Sequence, residues 1–372
     1  MRSAAEEGDG DMTTTTELFT SEELEEFISL LEEWPNSQYG DGASMLSVSP
    51  FLTFYFSYDP ERHLDASLTM IDTLEAFEAL SGNPFTISTH LDSERPHPYG
   101  SKRLGNLRDW AKKKRADDDF LFKLTDEPNH RSSPATAAYC CRAAWWPGLR
   151  NGYSYIQFYY RWQWWLDNRE AWQRFVLKTI DALNADQVYS GFTVANPLEL
   201  GSRSEANVWE RALAEHFLGL DIDSPFAMKH LADGLPFGIR PPTWGFFLSD
   251  NWRTRLACTR DELRDRLRHA DIHMIDCDSG IWIELGSKPD LYPVRSGVPE
   301  LPSILNRVLK PIRHQRLDLT GFGQWDGDPN ERFNVTDTRR WLSRFDETGD
   351  WPCADARQRL QRTFDGRPPS TP

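Results

Sequence analysis

Eleven aromatic side chains crowd the stretch from Trp145 to Trp172: Trp145, Trp146, Tyr153, Tyr155, Phe158, Tyr159, Tyr160, Trp162, Trp164, Trp165 and Trp172. This run limits what the chain can fold into. Alternate side chains of a strand point to opposite faces, so a segment aromatic at nearly every position needs cover on both sides. Pro147, Gly148, Asn151 and Gly152 break the run with turn formers. The pattern predicts a long antiparallel pair over 135–146 and 153–165, then a helix over 168–183. A buried sheet accounts for the aromatics better than an exposed stacking platform for bases or sugars, which would need its rings on one open face.

Strand and helix chemistry alternate over the rest of the chain. Residues 51–58 (FLTFYFSY) read as a buried strand, 64–80 as a helix closed by Gly82, and 85–91 as a strand again, which makes a β-α-β unit. Thr20 with Glu23 is a capping-box pattern ahead of Leu24, Phe27, Ile28, Leu31 and Trp34 at helical spacing, and Pro35 stops that helix. Thr259 with Glu262 repeats the pattern, opening a helix to residue 268. Strands are expected at 120–124, 188–194 and 243–248, a hairpin at 271–285 around Asp278, Ser279 and Gly280, and helices at 205–218 and 301–309, with 335–345 as the last element. The fold class expected is α+β (mixed α/β), in two pseudo-similar lobes of largely antiparallel sheets packed with helices. The organisation expected is a disordered acidic arm over 1–16, an N-terminal lobe over 17–186, a C-terminal lobe over 187–350 and a flexible tail over 351–372.

A length of 372 residues suits two domains or one with two sublobes, and 39% apolar content excludes a largely disordered chain. The formal charge is −15, which disfavours a protein that mainly grips nucleic-acid phosphates or anionic membrane. That charge is uneven. Residues 1–34 hold eleven acids against Arg2 alone, a net of −10, and leave only −5 for the remainder. An acidic N-terminal element is indicated, and a globally acidic DNA mimic is not. Neither a secretory leader nor an apolar membrane span is evident, so a soluble cytoplasmic protein is expected. Five cysteines without a C-x-x-C predict reduced, buried thiols.

Motifs for catalysis are missing: there is no phosphate-binding Gly-rich loop, no nucleophile elbow and no H-E-x-x-H. His269 and His273 have zinc-compatible helical spacing, but the intervening residues leave the helix for a strand and Ala270 stands where a metalloprotease needs Glu. Asp326, Asp328 and Asn330 imitate the start of a calcium loop. Glu331 sits where its turn needs Gly and Asp337 replaces the closing Glu, so an acidic surface loop is favoured. The basic run Lys102, Arg103, Arg108 and Lys112 to Arg115 is answered by Asp117, Asp118 and Asp119, which indicates a self-neutralising loop. No catalytic, cofactor-binding or metal-ligating residues are assigned, and no cofactor is expected.

The last third carries a family resemblance. In order come FGIRPPTW, GFFLSDNW, a helix, the hairpin IHMIDCDSGIWIELGSKP, the helix and turn ILNRVLKPIR, and a closing WLSRF. This arrangement resembles the type VI secretion immunity protein family. Trp244, Phe247, Leu248, Trp252, Gly286, Pro289, Pro311, Trp341 and Phe345 are the matching positions, with fold-defining rather than chemical character. The chain departs from the family pattern at 256–259, where a double glycine is common, and after Gly286. The resemblance implies a non-enzymatic cytoplasmic antitoxin that binds a cognate type VI effector, in some members a virus-type replication-repair nuclease whose active site is blocked. No direct nucleic-acid or membrane partner is implied. A nuclease cleft that holds DNA is basic, so acidic patches on an inhibitor would speed encounter and reject wrong partners. Candidate contacts are Glu22, Glu25, Glu26, Glu32 and Glu33 on the first helix, then Asp117, Asp118 and Asp119, and the loop bearing Trp325, Asp326, Asp328 and Glu331, with Trp325 as the kind of residue that anchors interfaces. The competing functions are a hydrolase-type enzyme whose site is assembled only in the fold, and a carbohydrate- or nucleic-acid-binding module using surface Trp.

Overall fold

The computed structural model describes residues 17–90, 95–102, 105–145, 152–229, 234–317, 319 and 328–352. In chain order the elements are α1 (Ser21–Glu33), β1 (Gln38–Asp41), β2 (Ser44–Phe56), α2 (His63–Ser81), β3 (Ile87–His90), β4 (His97–Pro98), α3 (Leu107–Ala111), β5 (Phe120–Thr125), β6 (Ala137–Arg142), β7 (Ser154–Tyr159), α4 (Trp162–Leu183) and β8 (Gln187–Val194). They continue with α5 (Leu200–Ala214), β9 (Leu220–Asp221), α6 (Pro225–Met228), β10 (Gly245–Ser249), α7 (Asp250–Arg255), α8 (Arg260–Arg266), β11 (Ile272–Cys277), β12 (Gly280–Leu285), α9 (Glu300–Leu309) and α10 (Val335–Leu342). The α+β class holds. The strands form one sheet in the order β11-β12-β10-β8-β2-β7-β6-β5-β3-β4, with β1 on β2 and β9 on β8. All pairs are antiparallel except β8 with β9.

Two halves of the chain meet in the middle of this sheet. β2 pairs with β7 from Phe51 opposite Tyr159 to Phe56 opposite Ser154, and on its other side with β8 from Val48 opposite Val194 to Tyr55 opposite Gln187. The lobe boundary expected at 186 therefore falls in the turn before β8, and backbone hydrogen bonding continues across it. The expected β-α-β unit has its three elements, but β2 and β3 are not neighbours: β7, β6 and β5 lie between them. At the other end, Trp351 is no loose start of a tail. It is buried, stacks on Phe333 at 5.3 Å and donates its indole N–H to the Ala214 carbonyl at 2.8 Å.

The aromatic run divides differently from the strand expectation. β6 and β7 pair antiparallel as expected, but helix begins at Trp162, six residues before the expected start, with a non-helical residue at Asn168 (φ −125°, ψ 19°). Trp162, Trp165 and Trp172 recur on one side of this helix, so the run switches from strand to helix period within the aromatic block. Trp162 stacks on Trp165 at 5.0 Å, and Trp172 meets Trp244 at 5.8 Å and Trp282 at 6.2 Å. Gly245 is required here, because a Cβ on it would lie 2.6 Å from the Trp282 ring. The aromatics are core: Trp165, Trp172, Trp282, Phe158 and Tyr159 are at most 1% exposed, whereas Trp145 is 40% exposed and Trp146 lies outside the described residues.

Alternation on the central strands gives the sheet two unlike faces. Leu52 and Phe54 share one face with Phe158 and Ile156, and α2 and α4 cover it, Phe77 lying 4.2 Å and Phe175 5.7 Å from Phe158. Thr53, Tyr55, Gln157 and Tyr189 share the other face. That face is closed by Arg240, whose guanidinium donates to Asp223 at 2.7 Å and pairs with Asp221 at 2.8 Å, 4.0 Å above the Tyr189 ring. Asp223 also accepts from the Thr53 hydroxyl and from the Gln157 amide at 2.7 Å, and Asp221 accepts from Arg344 at 3.4 Å. Burial raises the Asp221 pKa. It pulls Arg344 down to about 9, and in Arg240 the two aspartates overcome the same effect and raise its pKa. The cluster bolts Asp221, Asp223 and Arg240, and Arg344 just past α10, onto the sheet. Among the described residues no helix is long and apolar enough to cross a membrane.

Candidate partner-binding surface

The most acidic described element is α1, and its local sequence explains its form. Thr20 and Glu23 make the reciprocal capping box, which satisfies two helix-end amides. Phe27, Ile28 and Leu31 are buried, with Phe27 5.3 Å from Tyr39 and 5.7 Å from Trp209 of α5, and Phe19 meets Trp209 at 4.1 Å with the rings tilted. Glu32 is tied to Arg295 at 2.6 Å, and the Leu18 amide donates to Asn330 Oδ1 at 2.7 Å. The helix is thus a rigid platform.

Its outer side exposes Glu22, Glu25, Glu26 and Glu33 together with two apolar side chains, Leu30 (37% exposed) and Trp34 (43% exposed). Tyr39 donates its hydroxyl to Glu26 at 3.1 Å, and burial followed by Glu26 raises the phenol pKa. Glu22 and Glu23 suit the positive end of the helix dipole. Glu32 and Glu33 do not suit the negative end, and the last turn holds no base. Glu32 is offset by its pair with Arg295, but Glu33 opposes stability by about 0.3–1 kcal/mol, so the acidic face is not explained by folding alone. Sequence reading reached the acids but placed Trp34 on the apolar face and missed Leu30; Trp34 is the C-cap, in extended backbone where the helical period no longer holds.

The other expected contacts lie elsewhere. Asp117, Asp118 and Asp119 sit where β5 begins and β6 ends, at the opposite end of the strands from the β1–β2 hairpin against which α1 packs. Asp117 pairs with Arg115 at 3.1 Å, Asp118 accepts from the Arg115 amide at 2.9 Å, which lowers its pKa, and Asp119 accepts from the Ala144 amide at 3.1 Å. Asp328 points inward onto Arg332 at 2.6 Å. Burial would raise its carboxyl, but the Asn330 amide and Arg332 hold it below the usual range. Glu331 is 79% exposed and 3.7 Å from Arg211. The Leu18–Asn330 bond puts this loop beside the start of α1. Trp325 and Asp326 lie outside the described residues. The structure therefore brings Glu331 near the acids of α1 and keeps 117–119 apart from them.

The residues weighed for chemistry are also placed. His273 lies on β11, and His269, in the turn before it, stands 3.9 Å from Asp271 and 4.0 Å from Glu300 beside a shallow depression of about 540 Å³. No group of three or more His, Cys, Asp or Glu with metal-site geometry occurs among the described residues. Arg108 bonds Asp72 at 2.8 Å, and Lys112 bonds Asp109 at 3.1 Å, so the basic segment is neutralised locally.

Comparison with known proteins agrees with this architecture. The T6SS protein PA0821 of Pseudomonas aeruginosa has a similar fold, with TM-score 0.73 and 17% identity over 92% of this chain and 96% of that one. No curated protein matches the chain. The family model described as type VI immunity for VRR-NUC matches residues 70–345. That span holds the buried residues singled out by sequence, Trp244, Phe247, Leu248, Trp252, Trp341 and Phe345, and α1 lies outside it. A match over most of the length places this chain in the family of type VI immunity proteins for VRR-NUC.

Proposed function

We propose that this chain is a non-catalytic cytoplasmic antidote that binds a VRR-NUC nuclease effector of the type VI secretion system and covers its DNA-binding cleft with the outer face of α1. The family supports the class of partner. The surface rests on one observation: a helix with six acids and no base that leaves Leu30 and Trp34 open to solvent. A cleft built to hold phosphates is basic, so the acids steer encounter and the Trp34–Leu30 pair supplies the desolvated anchor. Protection then follows from exclusion of DNA, with no turnover by the antidote.

Co-expression with its cognate VRR-NUC effector should restore growth, and the two should copurify. Reversing Glu22, Glu25 and Glu26 to Lys should lower the association rate about 10-fold or more at low salt and flatten its salt dependence. Trp34→Ala should act mainly on dissociation. Unchanged kinetics in both variants would exclude α1 as the contact.

A further inference from the structure

The hydroxyl-bearing face of the sheet holds a second charged feature, of the opposite sign. Lys123 on β5 stands directly across from Tyr139 on β6, its Nζ 5.5 Å from the ring centre. Arg203, in the first turn of α5, holds its guanidinium 5.7 Å from the same ring. Its Nε donates to the Pro197 carbonyl at 2.7 Å, and its Nη2 is buried without an acceptor. Two residues along β6, the Cys141 sulfur accepts from Lys229 Nζ at 3.2 Å, and Tyr155 lies across the strand from it. Three cations thus border a floor of Tyr139, Cys141 and Tyr155.

Among the described residues no carboxylate pairs with any of the three. The nearby acids are engaged: Asp126 by Arg161 at 3.0 Å and the Thr136 amide at 3.0 Å, Asp119 by the Ala144 amide. Of the other buried guanidinium groups, Arg240 meets Asp223, Arg313 meets Asp346 at 2.8 Å and Arg332 meets Asp328, whereas Arg142 is held by the Arg115 and Asp118 carbonyls at 2.8 Å. Burial, and then Arg203, pushes the Lys123 ammonium well below its ordinary pKa. An arriving anion would reverse that effect. A polyanion is a poor candidate, because the chain carries a net charge of −15. One carboxylate on a protein partner meets the same need without bringing further negative charge.

We infer that this basic cluster receives a carboxylate side chain of the bound nuclease, held between Lys123 and Arg203, which are half-buried over the buried Tyr139 ring. The inference rests on the effector-binding reading and adds a second, oppositely charged contact to it. The position of α5 between the two features fits a partner that grips both sides of that helix.

The test uses the full chain and its effector. Lys123→Met and Arg203→Gln should each weaken binding about 30-fold or more, chiefly through faster dissociation. Lys123→Met should at the same time raise the melting temperature of the free protein, since methionine packs a similar stem without the desolvated charge. A purely structural lysine would not produce that pair of opposite effects, and unchanged affinity in both variants overturns the inference. Failure of the wild-type protein to bind its effector would instead refute the antidote reading. Should the variants misfold, ¹³C-dimethyl labelling of wild-type lysines gives the Lys123 pKa directly: it should climb on complex formation, and a constant value overturns the inference. A Lys123 signal that responds to a DNA oligonucleotide and not to the effector assigns the basic cluster to phosphate and overturns the inference as well.

Discussion

On β2, Leu52 and Phe54 look toward α2 and α4, while Thr53 and Tyr55 look toward Arg240 and Asp223. The apolar side behaves as an ordinary core, in which stability grows with area removed from water. The polar side buries charges that gain little over hydrocarbon but are expensive to leave unpaired. What that side adds is geometry. A hydrogen-bonded Arg–Asp cluster fixes Asp221, Asp223 and Arg240 in one place, and six residues beyond Asp223 stands Lys229, one member of the basic cluster.

The contrast can be broken most forcefully at Arg240. Arg240→Ala should destabilise by about 3–5 kcal/mol in urea unfolding, because Asp221 and Asp223 lose their shared cation. Phe158→Ala on the opposite face should cost about 3–5 kcal/mol by leaving a cavity. The two should separate on pH. Protonating Asp221, whose carboxyl burial already raises, should recover part of the Arg240→Ala loss in acid and none of the Phe158→Ala loss; equal pH dependence would show that the faces are not distinct in kind.

Glu210 on α5 sharpens the comparison further. Burial, then Asp221, raises its carboxyl from 4.5 to about 8. A carboxyl with a raised folded-state pKa favours the fold through its retained proton below pH 4.5 and loses that advantage as pH climbs through 8. Relative to Glu210→Gln, the wild type should therefore lose about 3–5 kcal/mol between those limits, and parallel stability curves would contradict the assignment. The smallest effect concerns α1. Glu33→Lys should stabilise the free protein by about 0.3–1 kcal/mol while slowing effector association, and a loss on both counts would mean that Glu33 serves the fold.

Local signals were legible in the sequence, and long-range ones were not. The capping boxes at Thr20–Glu23 and Thr259–Glu262, the hairpin of β11 and β12, and α9 with Pro302 in its first turn all depend on residues a few positions apart. The start of α4 was hidden because Trp and Tyr satisfy a strand and a buried helix equally, so period alone had to decide within a few residues. The pairing of β2 with β8 joins residues more than a hundred positions apart, and nothing in either strand names its partner. The same holds for the site. The acids of α1 are consecutive and conspicuous, whereas Lys123, Arg203 and Lys229 come from three separate elements and reach one floor only through the sheet register. Asp328 was misread for a related reason: an aspartate in a polar loop looks solvated until Arg332, four residues on, turns it inward.

The place of β2 has a consequence for biosynthesis. It leaves the ribosome well before its partners: β7 and β8 emerge only about a hundred residues later or more, a wait of about 5–20 s at ordinary elongation rates. Through that interval Phe51 to Phe56 present an unsatisfied, mostly apolar edge, the kind of template on which neighbouring nascent chains join. A slow codon cluster between β2 and β7 would lengthen the exposure, and one placed after β8 would not.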